Sequence, residues 1–102
     1  MSDYIGNEPV TITNMEETAY AMTIELHEQE RSDLIAVIRE MWVRVIRYKT
    51  GHMYTENIAR GESTTRGQLE LLLDNPDLLE PTTDPRKWDA FEGVARVFLY
   101  TK

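Results

Sequence analysis

The chain has 102 residues, of which 41% are hydrophobic and 28% charged, a size and composition typical of one globular domain. It contains no cysteine, which excludes disulfides, thiolate metal sites and a cysteine nucleophile. Its net charge of −7 opposes binding to nucleic acid and to an anionic membrane.

The charge is distributed unevenly along the chain. Residues 1–30 contain seven acidic residues and neither Lys nor Arg, whereas residues 31–66 contain seven basic and four acidic residues. No apolar run approaches the roughly 18 residues that a membrane-spanning helix needs. The first residues also lack the basic and hydrophobic blocks of a secretory signal. We therefore expect a cytoplasmic protein that does not insert into a membrane.

The first 14 residues are predicted to form a mobile or extended leader, followed by a single helical domain over residues 15–102. Within the leader, "VTIT" (residues 10–13) is β-branched and suits a short strand, but a strand needs a partner. The only later segments of similar composition, "WVRVIRY" and "RVFLYT", are assigned to helices because their apolar residues follow helical spacing.

The first helix is predicted to begin at Asn14, because Asn14 followed by Glu17 resembles a capping box. An apolar stripe at helical spacing follows, formed by Met15, Ala19, Met22 and Leu26. We expect this stripe to lie in the core.

A second helix is predicted from residue 34 to Thr50, with Ser32 and Asp33 as its cap and Gly51 as its stop. The apolar stripes of the two helices differ in phase by about a third of a turn at about 100° per residue. A single straight helix would therefore expose one stripe, and we predict a break or bend near residues 28–33.

Three further helices are indicated. Residues 55–60 suit a short helix closed by Gly61, and Thr65 with Gln68 resembles a capping box for a helix that ends before Pro76. Asp84 followed by Pro85 is a strong helix start. The predicted fold is all-α, an irregular bundle of four to five helices with the 34–50 helix at its centre and at most one short N-terminal extended segment.

The basic residues of the middle helix are interpreted as its solvated face, because Arg39, Arg44 and Arg47 lie in the arc that the apolar residues leave free. The alternative is a surface for an acidic partner, including the acidic N-terminal segment of a second copy. The apolar face of this helix is wider than one neighbour covers, which suggests packing on its own domain and on a partner. The candidate partner interface comprises Glu16, Glu17, Glu25, Glu28, Ile35, Arg39, Val43, Ile46 and Arg47.

The stretch "ARGESTTRGQ" is the best local candidate for a ligand site. Free backbone N–H groups at a helix start, hydroxyls and two guanidinium groups suit a phosphate or carboxylate. The residues concerned are Arg60, Ser63, Thr64, Thr65 and Arg66. Ordinary helix capping explains Thr65 equally well and is favoured. The same region can be interpreted as a helix-turn-helix, with "TENIARGE" before "TTRGQLELLL", but the basic footprint of a DNA-binding protein is weak.

An acidic cluster in "ELHEQE" places Glu25, His27, Glu28 and Glu30 together, a pattern from which helical hydrolases build metal sites. No matching acidic pair occurs on the next helix, so solvated surface is the favoured interpretation. We predict no catalytic residue, no metal and no cofactor.

The function predicted from the sequence is that of a small acidic, non-enzymatic interaction protein. It would bind a protein partner stoichiometrically as an inhibitor, adaptor or assembly factor, and would form a homo-oligomer. The alternatives, in order, are a protein that binds an anionic ligand or nucleotide at residues 60–67, a helix-turn-helix regulator, and a metal-dependent helical hydrolase. The negative net charge disfavours nucleic acid as a partner.

Overall fold

A computed structural model of the chain describes residues 5–50, 63–79 and 84–101, and their side chains over 6–48, 63–79 and 84–101. Its elements in chain order are a 3-10 helix Ile5–Asn7, β1 Pro9–Thr11, α1 Ile12–Met22, α2 Glu28–Thr50, β2 Ser63–Thr65, α3 Arg66–Asp74, a 3-10 helix Pro76–Leu78 and α4 Pro85–Tyr100. The predicted class, a mostly helical bundle with a short extended segment, is confirmed.

The core lies where α1, α2 and α4 pack against one another. Its centre is aromatic: Trp42 of α2 and Phe91 of α4 are fully buried, with ring centroids 6.5 Å apart. Trp88, one helical turn before Phe91, adds a second ring contact at 5.6 Å. The sequence predicted these aromatic residues as core because they recur on one face of each helix.

The N-terminal strand has a partner that the sequence analysis did not identify. β1 pairs with β2 in an antiparallel ladder that places Val10 opposite Thr64, and both residues are buried. β2 consists of only Ser63, Thr64 and Thr65 and carries no apolar alternation, so its pattern gave no strand signal. The ladder joins the start of the chain to the segment in which an anion site was predicted.

Helix α1 begins at Ile12, three residues before the predicted first apolar position. Its N-cap is Thr11, whose Oγ1 accepts a hydrogen bond from the Asn14 N–H at 3.2 Å. Asn14 Oδ1 in turn accepts from the Thr11 N–H at 2.8 Å and completes a reciprocal capping box. The predicted cap was wrong because Asn14 occupies the third helical position, where Glu or Gln is the usual signal.

The chain forms two separate helices, α1 and α2, in place of one long helix, as predicted. The predicted position of the break, residues 28–33, was wrong. Helix α1 ends at Met22 and α2 begins at Glu28, so Ser32 and Asp33 lie within a helix and do not cap one. Thr23 ends α1: its Oγ1 donates to the Ala19 backbone oxygen at 2.6 Å, and the side chain is buried. A hydroxyl that binds the preceding turn competes with helix continuation.

The later helix starts were predicted correctly from local capping chemistry. Thr65 Oγ1 accepts from the Gln68 N–H at 3.1 Å at the start of α3, and Asp84 Oδ1 accepts from the Arg86 N–H at 3.0 Å at the start of α4. Arg96 of α4 pairs with Glu92 one turn earlier and with Asp74 at the end of α3. The predicted short helix over 55–60 lies outside the described residues.

Candidate protein-binding surface

Four large apolar side chains around the end of α1 are exposed to solvent. Ile24 is 73% exposed, and Tyr20, Met22 and Leu26 are 51%, 44% and 43% exposed. Met22 and Leu26 were predicted to be core, which is wrong. The buried positions of α1 are Ile12, Met15 and Ala19, because the helix starts earlier and ends at Thr23 before the stripe reaches Leu26.

The segment that carries Ile24, residues 23–27, is held by Arg31 of α2 and is named the Ile24 turn below. Arg31 Nη2 donates to the backbone oxygens of Thr23 and Ile24, both at 2.9 Å, and Nε donates to that of Thr23 at 3.2 Å. The guanidinium also lies over the Tyr20 ring, 5.9 Å from its centroid. Carbonyl groups that follow the end of α1 and have no partner within the helix thereby accept hydrogen bonds, and Ile24 projects from an ordered backbone.

Next to this turn, a groove of about 470 Å³ runs between α1 and the last turn of α4. It is named the Met22 groove, and its main lining residues are Glu17, Ala21, Met22, Arg66, Val97 and Phe98. Val97 is itself 38% exposed, so both helices contribute apolar surface that no other described part of the chain covers. The hydroxyl residues Thr18 and Thr101 complete the lining.

Two charged groups at the Met22 groove differ in how they are paired. Arg66 Nε donates to Glu8 Oε1 at 2.9 Å, Nη1 donates to the Phe98 backbone oxygen at 3.4 Å, and the guanidinium stacks 4.4 Å above the Phe98 ring. Glu17 is exposed and makes no hydrogen bond or ion pair with any residue in the described ranges. The groove therefore has a neutralised cation on one wall and an unpaired carboxylate on the other.

The residues of the predicted anion site have structural partners. Thr64 is 1% exposed in the β-ladder, Thr65 Oγ1 caps α3, and Arg66 is paired with Glu8. Ser63 is half-buried in β2, and Arg60 lies outside the described residues. Thr65 thus caps α3, as the favoured interpretation predicted, and Arg66 links the start of α3 to Glu8 just before β1. Anion binding there stays a prediction.

The apolar part of the predicted partner interface is not at the surface. Ile35 and Ile46 are 4% and 1% exposed and belong to the core, and Val43 is half-buried. The prediction failed because α2 packs on both α1 and α4, so its wide apolar face is covered within one chain. Exposed large apolar side chains lie instead at the end of α1 and on the Ile24 turn.

Some charged residues of that predicted interface are paired within the chain, and others are exposed to solvent. Arg39 Nε is hydrogen-bonded to Glu16 Oε2, and this bond raises the pKa of the Arg39 guanidinium. Arg39 of the basic middle segment thus pairs with the acidic N-terminal segment of its own chain. This pair therefore gives no support to the predicted contact between the basic segment of one copy and the acidic segment of another. Arg47 is half-buried, whereas Glu17, Glu25 and Glu28 remain exposed.

The placement of the residues gives little support to the other two alternatives, a helix-turn-helix regulator and a metal-dependent hydrolase. As a recognition helix, α3 would present Glu70 and Asp74 to a DNA backbone, and the preceding "TENIARGE" lies outside the described residues. Across residues 5–50, 63–79 and 84–101, no group of three or more His, Asp or Glu side chains is arranged to hold a metal ion. Within the same ranges, no helix is both long enough and apolar enough to cross a bilayer.

Sequence reasoning missed the two most informative apolar residues, Ile24 and Val97. At about 100° per residue, Ile24 lies opposite the Met15 stripe on a helical wheel, and Val97 lies opposite the Phe91 face of α4. A large apolar residue on the wrong side of an amphipathic helix was the available signal. Whether such residues meet another part of the chain depends on packing, which a wheel does not contain.

Comparisons of the chain with protein-family models, with curated proteins and with solved structures find no match. The function is therefore inferred from the exposed surface of the chain.

Proposed function

We propose that the protein is a small, acidic, non-enzymatic interaction protein of the cytoplasm that binds a protein partner stoichiometrically, as an inhibitor, adaptor or assembly factor. The observation that carries the proposal is Ile24, a large apolar side chain 73% exposed on a turn that Arg31 and Thr23 hold in place. Tyr20, Met22 and Leu26, each within four residues of Ile24, are also more than 40% exposed. Clustered exposed apolar side chains mark protein interaction sites more strongly than scattered single ones.

An ordered turn supports binding more strongly than exposure alone. Association costs conformational entropy when a loop must become ordered, and a turn that is already hydrogen-bonded avoids that cost. Three hydrogen bonds from Arg31 and one from Thr23 restrain the backbone on both sides of Ile24. Ile24 is therefore presented in advance, as an anchor residue that a pocket on a partner can accept.

Charge around the anchor favours a basic partner. Residues 12–30 contain Glu16, Glu17, Glu25, Glu28 and Glu30 but neither Lys nor Arg. Arg39, paired with Glu16, and Arg31, which holds the turn, offset part of this charge, and the surface stays net negative because five carboxylates face two guanidinium groups. A net negative surface speeds encounter with a basic partner and disfavours acidic partners. An acidic surface around an apolar anchor is thus suited to a basic protein, in the mode that the sequence predicted, with the anchor relocated to the Ile24 turn.

Affinity capture with matched variants tests this proposal. The tagged full chain is compared with Ile24→Ser, Met22→Ser and Leu71→Ser in a native lysate, with quantitative mass spectrometry of the retained proteins. Met22 and Leu71 are equally exposed, at 44% and 45%, but Leu71 lies on α3 outside the groove. We expect a partner retained by wild type and Leu71→Ser and reduced by about tenfold in the other two.

Thermal denaturation of all four proteins provides the control, because exposed substitutions should leave stability nearly unchanged. Retention of the same proteins by Ile24→Ser and Met22→Ser at wild-type levels contradicts the proposal, and so does recovery of no protein at a stoichiometric level.

A further inference from the structure

Resting on the proposed interaction role, we infer that the Met22 groove receives an amphipathic helix of the partner whose polar face is basic, with one Lys or Arg of that helix paired with Glu17. The apolar face of the helix would lie against Ala21, Met22 and Val97. This defines the chemical class of the partner segment and assigns Glu17 the role of selecting it.

The shape of the groove favours a helix. Its walls are the outer surfaces of α1 and of the last turn of α4, and the two helices pack on each other below it. A third helix laid over such a pair inserts its side chains between theirs, which is the usual way in which an amphipathic helix binds a groove. At about 470 Å³ the groove accommodates several apolar side chains in a row.

The polar groups of the groove do not suit a small anionic ligand. Pockets for such ligands converge several unsatisfied polar groups on one point. Among the described residues that line the groove, the only cation is Arg66, which is 16% exposed and already bonded to Glu8 and stacked on Phe98. The surface left for contact is mainly apolar, contributed by Met22 and Val97.

Charge decides between a basic and an acidic helix. Glu17 has no partner in the described part of the chain, and Glu8 remains 61% exposed while it neutralises Arg66. The two carboxylates and one guanidinium leave the groove with one net negative charge, next to the cation-free segment 12–30. A cation that approaches Glu17 gains a partner at the edge of an apolar surface, whereas an acidic helix meets repulsion.

The test uses two synthetic peptides of about 18 residues, or five helical turns. Both carry the same leucine positions on one helix face, and their polar face is Lys in one and Glu in the other. Each is titrated into the ¹⁵N-labelled full chain, and amide chemical shifts map the site. We expect the Leu–Lys peptide to bind with shifts at Ala21, Met22, Val97 and Phe98, and the Leu–Glu peptide to leave them unchanged.

Two charge-neutralising variants separate a local ion pair from a general effect of charge. Glu17→Gln should weaken Leu–Lys binding by about three- to tenfold. Asp89→Asn removes the same charge near the opposite end of α4, about 12 Å or more from Val97 at 1.5 Å per residue, and should change binding by less than about twofold. Higher ionic strength should reduce the difference between the two variants.

The inference is overturned if both peptides bind equally, if the shifts fall outside the groove, if neither peptide binds, or if Glu17→Gln and Asp89→Asn have the same effect. It is also overturned if dilution of the protein alone moves the groove amides, since a second copy would then be the occupant. Failure here leaves the capture result with Ile24→Ser and Met22→Ser standing, so the two proposals can fail separately.

Discussion

Large apolar side chains are buried at the centre of the three-helix core but exposed to solvent at the end of α1. Trp42 and Phe91 are removed from water at the contact of α2 and α4, whereas Ile24 and Met22 are left 73% and 44% exposed within the same short chain. Both regions are well ordered by their contacts, so exposure of Ile24 is a feature of the fold and not of a loose end. The difference separates residues that stabilise the protein from residues that are available to a partner.

The largest expected effect on stability is in the three-helix core. Phe91→Ala should reduce the free energy of unfolding by about 3–5 kcal/mol, because it removes a buried ring and leaves a cavity beside Trp42. Urea denaturation followed by circular dichroism measures the loss. Ile24→Ser provides the contrast and should stay within about 0.5 kcal/mol of wild type. Equal losses in the two variants would show that Ile24 is as much a core residue as Phe91.

An intermediate effect is expected where the two regions are joined, at Arg31. Arg31→Met keeps most of the side-chain stem but removes the three hydrogen bonds to the Thr23 and Ile24 carbonyl oxygens, at an expected cost of about 1–2 kcal/mol. Hydrogen exchange should become faster in residues 23–27, which reports loss of order in the turn.

Arg86→Met is the control for Arg31→Met, because the Arg86 side chain is 90% exposed and far from the turn in sequence. It should leave exchange in residues 23–27 unchanged. If Arg31→Met also leaves exchange there unchanged, the turn is ordered without the arginine, and the role assigned to Arg31 in holding it is wrong.

A smaller effect is expected at the buried end of α1. Thr11→Ala removes the acceptor for the Asn14 N–H and should cost about 1 kcal/mol. Thr13→Ala is its matched control, since Thr13 is exposed in the first turn and has no capping role in the structure. Denaturant midpoints of the two variants measure the difference, and equal midpoints would contradict the assignment of Thr11 as the N-cap.

The smallest effect on stability is expected at the N-terminus of α4, and it depends on pH. Hydrogen bonds from Arg86 lower the pKa of the half-buried Asp84 carboxylate below its ordinary value of 3.8. A carboxylate with a lowered pKa in the folded state stabilises the fold above the ordinary pKa, and this contribution is lost as the pH falls through the lowered value. Asp84→Asn keeps a capping oxygen but has no charge to titrate.

The measurement is the melting temperature of wild type and Asp84→Asn between about pH 7 and about pH 3. The advantage of wild type should be constant above about pH 5 and shrink in the acid range. A constant difference down to the lowest pH would show that the charge of Asp84 does not contribute to the cap.

Features that depend on a few neighbouring residues could be predicted from the sequence. The starts of α3 and α4 follow from Thr65 and from Asp84 with Pro85, because a capping side chain reaches only two or three residues along the chain. The Phe91 face of α4 follows from spacing in the same way. The start of α1 was misplaced because Asn14 itself takes the place of Glu or Gln in the box with Thr11.

Features that depend on residues far apart in the chain could not be predicted. The pairing of Val10 with Thr64 joins two three-residue strands across more than fifty positions, and neither strand carries a distinctive pattern. The interface predicted from Ile35 and Ile46 failed for a related reason: a wide apolar face predicts two neighbours but not whether both belong to the same chain.

By itself, the sequence determined a helical class, the capping of α3 and α4, and an acidic N-terminal third that disfavours acidic partners. Only the tertiary structure decided that β1 pairs with β2, that Arg39 is satisfied by Glu16 within the chain, and that Ile24 and Val97 stay in water. Capping and amphipathic spacing are local, whereas burial is a property of the whole packing arrangement. A large apolar residue is therefore recognised as exposed only once every other element has been placed.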